Sequence, residues 1–349
     1  MVFCHLCVQE SNDSDKGQEG LGLIQDQRGF TPEGNWYKGN IHSHTTNSDG
    51  RLAPAEAVRL FKENGYNFLC FSEHDLYTDY RKEFDCEDFI ILPGLEASAI
   101  LCGEDGPHKC LKVHHIHGIL GTRAMQEEAG QNVFREREAI RPSVSYGTWD
   151  GAGEAGRLCN YLKSRGCITV YNHPAWSRVA HEEFVHTDHL WAVEIFNYGT
   201  VNESGTGYDT AGWDRMLRDG KKVFAVAADD NHNGGEFDDA CGGYIMVRAG
   251  KLTHEDILQN MIAGNFYSSA GPEIYNWEIR DGRACIRCSP VYRIDFIAGN
   301  HINAGGSIVC KDIEGTTGYG EYRLTGDEDY IRAQVSDRYG RTAWTNALF

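Results

Sequence analysis

The residues of this chain that can do chemistry come in short clusters. Gly39-Asn40-Ile41-His42-Ser43-His44 carries two histidines one residue apart, with Asp49-Gly50 just downstream. At a strand end, side chains two apart point the same way, so both imidazoles can reach one cation while Asp49 returns from the loop toward a neighbouring one. A lone His-x-His pair is a weak signal. Here it is echoed by Ser72-Glu73-His74-Asp75, Gly94-Leu95-Glu96, His114-His115-Ile116-His117, Tyr171-Asn172-His173-Pro174 and Asp229-Asp230-Asn231-His232, each closing or lying in an apolar, strand-like run. Neutral imidazoles suit borderline divalent ions, and carboxylates offset their charge and can bridge two of them. The chemistry such a set supports is activation of water by bound metal, and Mn, Fe and Zn are all compatible with these donors.

Around this set stand residues with supporting roles. Asp75 and Asp229 adjoin the candidate ligands and are read as acceptors that orient imidazoles. Arg178, shortly after His173-Pro174, is placed to lay a guanidinium over the site for bidentate capture of a phosphate. Trp176, Asn197 and Tyr198 are candidate pocket walls. Other chemistries fit less well: the stretch 147–156 lacks the Lys-Ser/Thr ending of a phosphate-binding P-loop, and no Gly-x-Ser-x-Gly elbow is present.

Elements must position these groups. Apolar runs at 68–72, 89–92, 113–120, 167–171, 192–196 and 223–228 read as buried parallel strands, and helical spacing over 55–64, 154–165 and 212–219 stops at Gly65, Gly166 and Gly220. Repeated β-α units with polar residues after nearly every strand favour a barrel over a doubly wound sheet. A last helix over 253–264 opens on Thr253-x-x-Asp256, and beyond Ser269-Ala270-Gly271-Pro272 the helical signal vanishes. Residues 271–349 show short alternating segments such as 330–335, as in a small antiparallel β-sandwich. Residues 1–35, polar and without periodicity, read as a flexible leader, leaving 36–270 as the catalytic unit.

In this order the clusters resemble the polymerase-and-histidinol-phosphatase (PHP) family of metal-dependent phosphoesterases, over residues 36–269. Lys38-Gly39-Asn40-Ile41-His42-Ser43-His44-Thr45, with a tail running from Tyr330-Ile331-Arg332 to Ala343-Trp344-Thr345-Asn346, is similar to the branch that includes carbaryl hydrolases. The resemblance implies a distorted (β/α)7-type barrel holding two to three divalent ions. One would take His42, His44, Glu96 and Asp230, with Glu96 bridging to a second held also by His173 and either His115 or His117. A third would take Asp49, His74 and His232. The implied activity is hydrolysis of a small phosphomonoester or cyclic phosphodiester by metal-activated hydroxide, with Glu96, Asp230 and Arg178 closest to the reaction. The carbaryl-hydrolase branch adds hydrolysis of a carbamate, ester or amide as the alternative, and a metal-binding module without turnover is a remote third.

Composition narrows the setting. The chain has 349 residues, 41% hydrophobic and 24% charged, with a formal charge of −18 from 33 basic and 51 acidic residues. Nothing supplies the basic stripe a nucleic-acid partner needs, and no run approaches the ~18 apolar residues of a membrane span. Twelve cysteines with no secretory signal read as reduced thiols of a cytoplasmic protein. The pairs Cys4/Cys7 and Cys285/Cys288 lie too far apart in sequence for a zinc ribbon, and the second belongs to a strand expected over 283–289.

Overall fold

The structure, a computed structural model, describes residues 24–106 and 109–349. Cys4, Cys7, His108 and the first part of the expected leader lie outside the described residues. The apolar runs form strands at Phe68–Cys70, Ile90–Leu92, Cys110–Leu120, Cys167–Tyr171, Ala192–Asn197 and Phe224–Ala228. The helices are Pro54–Glu63, Gly151–Ser164, Thr210–Arg218 and His254–Ile262, with shorter ones between. Local chemistry sets their ends: Pro54 occupies the first turn, and the Thr253 side chain accepts the Asp256 N–H at 3.3 Å.

The chain is a mixed α/β protein with sheets of four, eight and nine strands. Two groups of strands are parallel as expected, Asn35–Asn40/Phe68–Cys70/Ile90–Leu92 and Cys167–Tyr171/Ala192–Asn197/Phe224–Ala228. Between them the expectation fails. Gly94–Cys102 and Cys110–Leu120 run antiparallel, and the latter is antiparallel to Cys167–Tyr171 as well. An antiparallel pair needs no crossover helix, so the regular β-α alternation stops there. The two parallel groups lie in different sheets, and among the described residues no closed barrel forms. Isolated bridges, Ser43–Asn231 and His74–Glu96, link the sheets instead.

Both sheets nevertheless contribute to one core. Ile41, Phe68 and Leu92 meet Val170, Ala192 and Val226 there, together with Leu258 and Met261 of the His254–Ile262 helix. A second core lies between the eight-stranded sheet and its helices, including the buried Leu162 and Trp213. Glu96, His115 and His117 share one sheet face because the hairpin register sets Glu96 opposite His117 and Ser98 opposite His115.

The β-rich tail is not an isolated unit. Phe266–Ser269 pairs with both Tyr244–Ala249 and Thr342–Thr345, so the nine-stranded sheet continues from the Asn35–Asn40 strand into the tail. Against it packs the four-stranded sheet of Gln27–Arg28, Ile274–Arg280, Arg283–Val291 and Thr317–Arg323, with Trp277, Ile286, Phe296 and Val335 in the core between. The described end of the expected leader also belongs here: Gln27–Arg28 pairs with Ile274–Arg280, and Phe30 is buried in that core. Ordered structure therefore begins before Trp36, with Phe30 packed against Trp36 and Tyr267 at 5.1 and 6.0 Å between ring centroids. Every cysteine among the described residues is free, and no described helix is long and apolar enough to cross a membrane.

Candidate metal centre

Glu96 is the hub. Its carboxylate is fully buried and lies 3.2 Å from His42 Nε2, 3.6 Å from His44 Nε2, 3.0 Å from His74 Nδ1, 3.3 Å from His115 Nδ1 and 3.3 Å from His173 Nε2. Asp230 faces it from the loop after Phe224–Ala228, 2.9 Å from His42 Nε2 and 3.1 Å from His44 Nε2. Toward solvent, half-exposed Asp49 lies 3.4 Å from His74 Nε2 and 3.3 Å from His232 Nε2. Donor atoms thus converge in overlapping groups, among them His42/His44/Asp230, His74/Glu96/His115 and His44/Asp49/His74/His232.

A divalent ion fits this donor set better than internal hydrogen bonds do. His42 Nε2, His44 Nε2, Glu96 Oε2 and His115 Nδ1 are buried without a hydrogen-bond partner, although carboxylate and imidazole atoms lie close by. Leaving buried polar atoms unsatisfied costs about 1–3 kcal/mol each, and several around one point mark a place for a cation. His117 differs. Both its ring nitrogens are unpaired, it groups with His42 and Glu96 with donor atoms within 4.8 Å of one another but forms no ion pair, and it packs edge-on to His42 with ring centroids 4.2 Å apart.

The surrounding residues fix which nitrogen faces inward. Glu194 accepts from His42 Nδ1 at 2.9 Å, which leaves Nε2 to the centre, and also takes the His173 N–H at 3.0 Å. Ser177 Oγ lies 3.1 Å from His173 Nδ1, and Asn172 Nδ2 donates to Glu96 Oε1 at 2.6 Å. Glu73 anchors the loop that carries Asp49, accepting from the Thr45 hydroxyl and Ser48 Oγ at 2.5 Å each. Glu194 and Glu73 were not singled out from sequence. The available signal was a lone carboxylate inside a fully buried strand, Ala192–Asn197, since such a group must have a partner.

Electrostatics follow the crowding. Burial by itself pushes His42 down, but Asp230, Glu194 and Glu96 together pull it well above the ordinary imidazole value. Against burial, His74 is likewise raised to about 11 by Asp49 and Glu96, and His232 to about 9 by Asp49 and Asp230. His44 is lowered to about 4 by burial, with His74 and His232 adding to the effect. The Glu96 and Asp230 carboxyls resist burial and stay well below their usual range because imidazoles surround them. Protons and metal ions therefore compete for the same nitrogens.

Several expected roles need correction. Asp75 accepts the Ser98 N–H, and Asp229 accepts the Cys241, Gly242 and Gly243 N–H groups; neither orients an imidazole. Burial raises the Asp229 carboxyl to about 7, and its role is to hold the loop that follows Asp230-Asn231-His232. Asn197 is buried beneath the centre, donating to Glu194 at 2.9 Å and Asp230 at 3.1 Å, and is not a cleft wall. Tyr198 is turned away, its hydroxyl on Asp238 at 2.7 Å.

A cleft of about 320 Å³ opens onto Asp49, His74, Glu96, His115, His173, Asp230 and His232. Trp176 lines it as expected. Arg178 does not: it is exposed, and its guanidinium donates to the Ala175 carbonyl at 3.0 Å. Its backbone is left-handed, with φ 60°, and Arg178 is not among the residues that line the cleft. Arg51 is the one Lys or Arg among the residues that line it.

No family model matches the chain, and no curated protein does. Solved structures do. A two-domain protein from Bacteroides vulgatus ATCC 8482 containing a predicted PHP-like metal-dependent phosphoesterase is 12% identical, with 96% of this chain and 100% of that one covered and a TM-score of 0.42. A protein from Bifidobacterium adolescentis ATCC 15703 assigned as a metal-dependent phosphoesterase is 13% identical, with 65% and 96% covered and a TM-score of 0.40. An amidohydrolase from Chromobacterium violaceum, with bound sulfate and no metal, is 13% identical over 65% and 96%, with a TM-score of 0.36. At these values the neighbours do not decide an activity, and the functional reading rests on the site's own geometry.

Proposed function

We propose that this chain is a metal-dependent hydrolase of small phosphomonoesters or cyclic phosphodiesters. The observation that carries the reading is the convergence on buried Glu96 of five imidazoles within 3.6 Å, several with unsatisfied inward nitrogens. His42, His44, Asp230 and Glu96 would hold one ion, and Glu96 would share a second with His173 and His115. His115 is preferred to His117 because it reaches Glu96 and faces the cleft. Asp49, His74 and His232, at the cleft mouth, would hold a third. Divalent ions held there would acidify water and neutralise charge on the phosphoryl oxygens.

The chain's own residues do the rest. Glu194 and Ser177 keep His42 and His173 in the tautomer that presents Nε2, and Asn172 fixes the plane of Glu96. Trp176 lines the cleft beside His173, with ring centroids 5.0 Å apart. The proposed partner is thus a small phosphate ester in the cell interior, not nucleic acid or membrane. The test is a turnover screen of phosphomonoesters, cyclic phosphates and carbamates on protein reconstituted with Mn, Fe or Zn, together with elemental analysis. Two to three equivalents of metal and phosphoester turnover abolished by chelator are expected. Turnover confined to carbamates or esters, or one equivalent of metal or fewer, would overturn the corresponding part.

A further inference from the structure

We infer that Arg51 and Trp176 together select the substrate: a phosphomonoester in which Arg51 takes the phosphate oxygens and Trp176 takes the face of a flat, aromatic alcohol. This rests on the phosphoesterase reading and names its substrate class. Arg51 is held by its backbone, not its side chain. Its N–H donates to the His232 carbonyl at 2.8 Å, and the preceding Gly50 donates to the Thr45 carbonyl at 3.0 Å. Gly50 is required for this approach, since a Cβ there would come within 2.4 Å of the His44 carbonyl oxygen. The main chain at Arg51 is thus tied to two of the loops that carry candidate ligands, those of Asp49 and His232.

The side chain is exposed and left free: its guanidinium has neither an ion pair nor a hydrogen bond among the described residues, and Arg51 is among the residues that line the cleft with Asp49 and His232. An unpaired guanidinium on a fixed stretch of main chain at the cleft can turn to the bidentate geometry of a phosphate, and a neutral carbamate has much less to offer it. Trp176 is fixed in the opposite sense. Glu203 accepts its indole N–H at 2.6 Å, and its ring lies 6.2 Å from His115 at an interplanar angle of 30°. A pinned indole beside His115 and His173 offers a planar apolar surface next to the atoms that would be attacked, and offset stacking on it favours an aromatic leaving group over an alkyl one.

Calorimetric titration of Mn-reconstituted protein with phenylphosphonate and methylphosphonate, neither of which can be hydrolysed as an ester, tests the assignment without turnover. Wild type should bind the phenyl compound about 2- to 10-fold more tightly. Arg51→Ala should weaken both by roughly 10- to 150-fold, with partial rescue by Arg51→Lys, whereas Arg178→Ala should leave both unchanged. Trp176→Ala should weaken only the phenyl compound. Metal content equal to wild type, measured on each variant, keeps ion loss from imitating these effects. Equal binding of the two phosphonates by wild type, no binding of either, or undiminished binding by Arg51→Ala would overturn the inference. Binding with the expected variant pattern but without phosphoester turnover would keep Arg51 and Trp176 as the ligand-selecting pair while removing the hydrolase reading, so the two fail separately.

Discussion

At the scale of single residues the centre depends on side chains that never touch an ion. Glu194 fixes His42 by a 2.9 Å bond to Nδ1, and Glu194→Gln keeps the shape while removing the charge that makes Nε2 a better donor. Metal affinity should fall about 10- to 100-fold, measured by competition with a chromogenic chelator. An unchanged affinity would mean that packing alone orients His42. Glu96→Gln is a harsher change, because five imidazoles face that carboxylate and no neighbour can replace it. Metal and turnover should be lost together while the far-ultraviolet circular dichroism stays that of wild type. Full metal content in that variant would remove Glu96 from the ligands.

At the scale of elements, Asp209 sits at the N-cap of the Thr210–Arg218 helix, but its carboxylate does not cap the helix. It reaches across to the Ala175 N–H at 3.3 Å, in the segment between His173 and Trp176. Burial raises its pKa from 3.8 to about 6 against that hydrogen bond. An acid whose folded pKa is raised is penalised when ionised, so stability drops as pH climbs from the ordinary carboxyl value through about 6 and stays lower above it. Asp209→Asn removes the charge and retains an acceptor. The variant should gain about 1–2 kcal/mol over wild type at pH 8 relative to pH 4.5, read from paired thermal melts. Parallel pH dependence in the two proteins would assign the penalty elsewhere.

At the scale of the whole molecule, the tail and the helices that flank the eight-stranded sheet are joined by a buried ion pair. Arg332, 2% exposed, donates from Nε and Nη2 to the two Asp214 oxygens, each at 2.7 Å, and its guanidinium lies 4.7 Å from the Trp213 ring. Removing one partner leaves a charge uncompensated. Arg332→Ala should therefore cost about 3–5 kcal/mol in urea unfolding. The double variant Arg332→Ala/Asp214→Ala should lose less than the sum of the single losses, because the pair is coupled. Additive losses would show that the two sides are held by apolar packing and the continuous sheet alone.

The sequence by itself located the ligand-type residues, because imidazoles and carboxylates at the ends of apolar runs have few other uses and strand periodicity brings alternate residues to one face. His42, His44, Asp49, His74, Glu96, His115, His173, Asp230 and His232 all converge in the fold, and the helix stops at Gly65, Gly166 and Gly220 follow from local backbone chemistry. Only the tertiary structure decided what depends on pairing between distant segments. Strand direction is not written in an apolar run, so the antiparallel Gly94–Cys102/Cys110–Leu120 hairpin that breaks the expected β-α alternation was not legible. Nor was the packing of Phe30 under the tail, which depends on contacts some 250 residues away. The same holds for the cleft cation. Arg51 stands two residues after Asp49 and Arg178 five after His173, yet only Arg51, its backbone tied to His232, is among the residues that line the cleft, while the Arg178 guanidinium folds back on the Ala175 carbonyl.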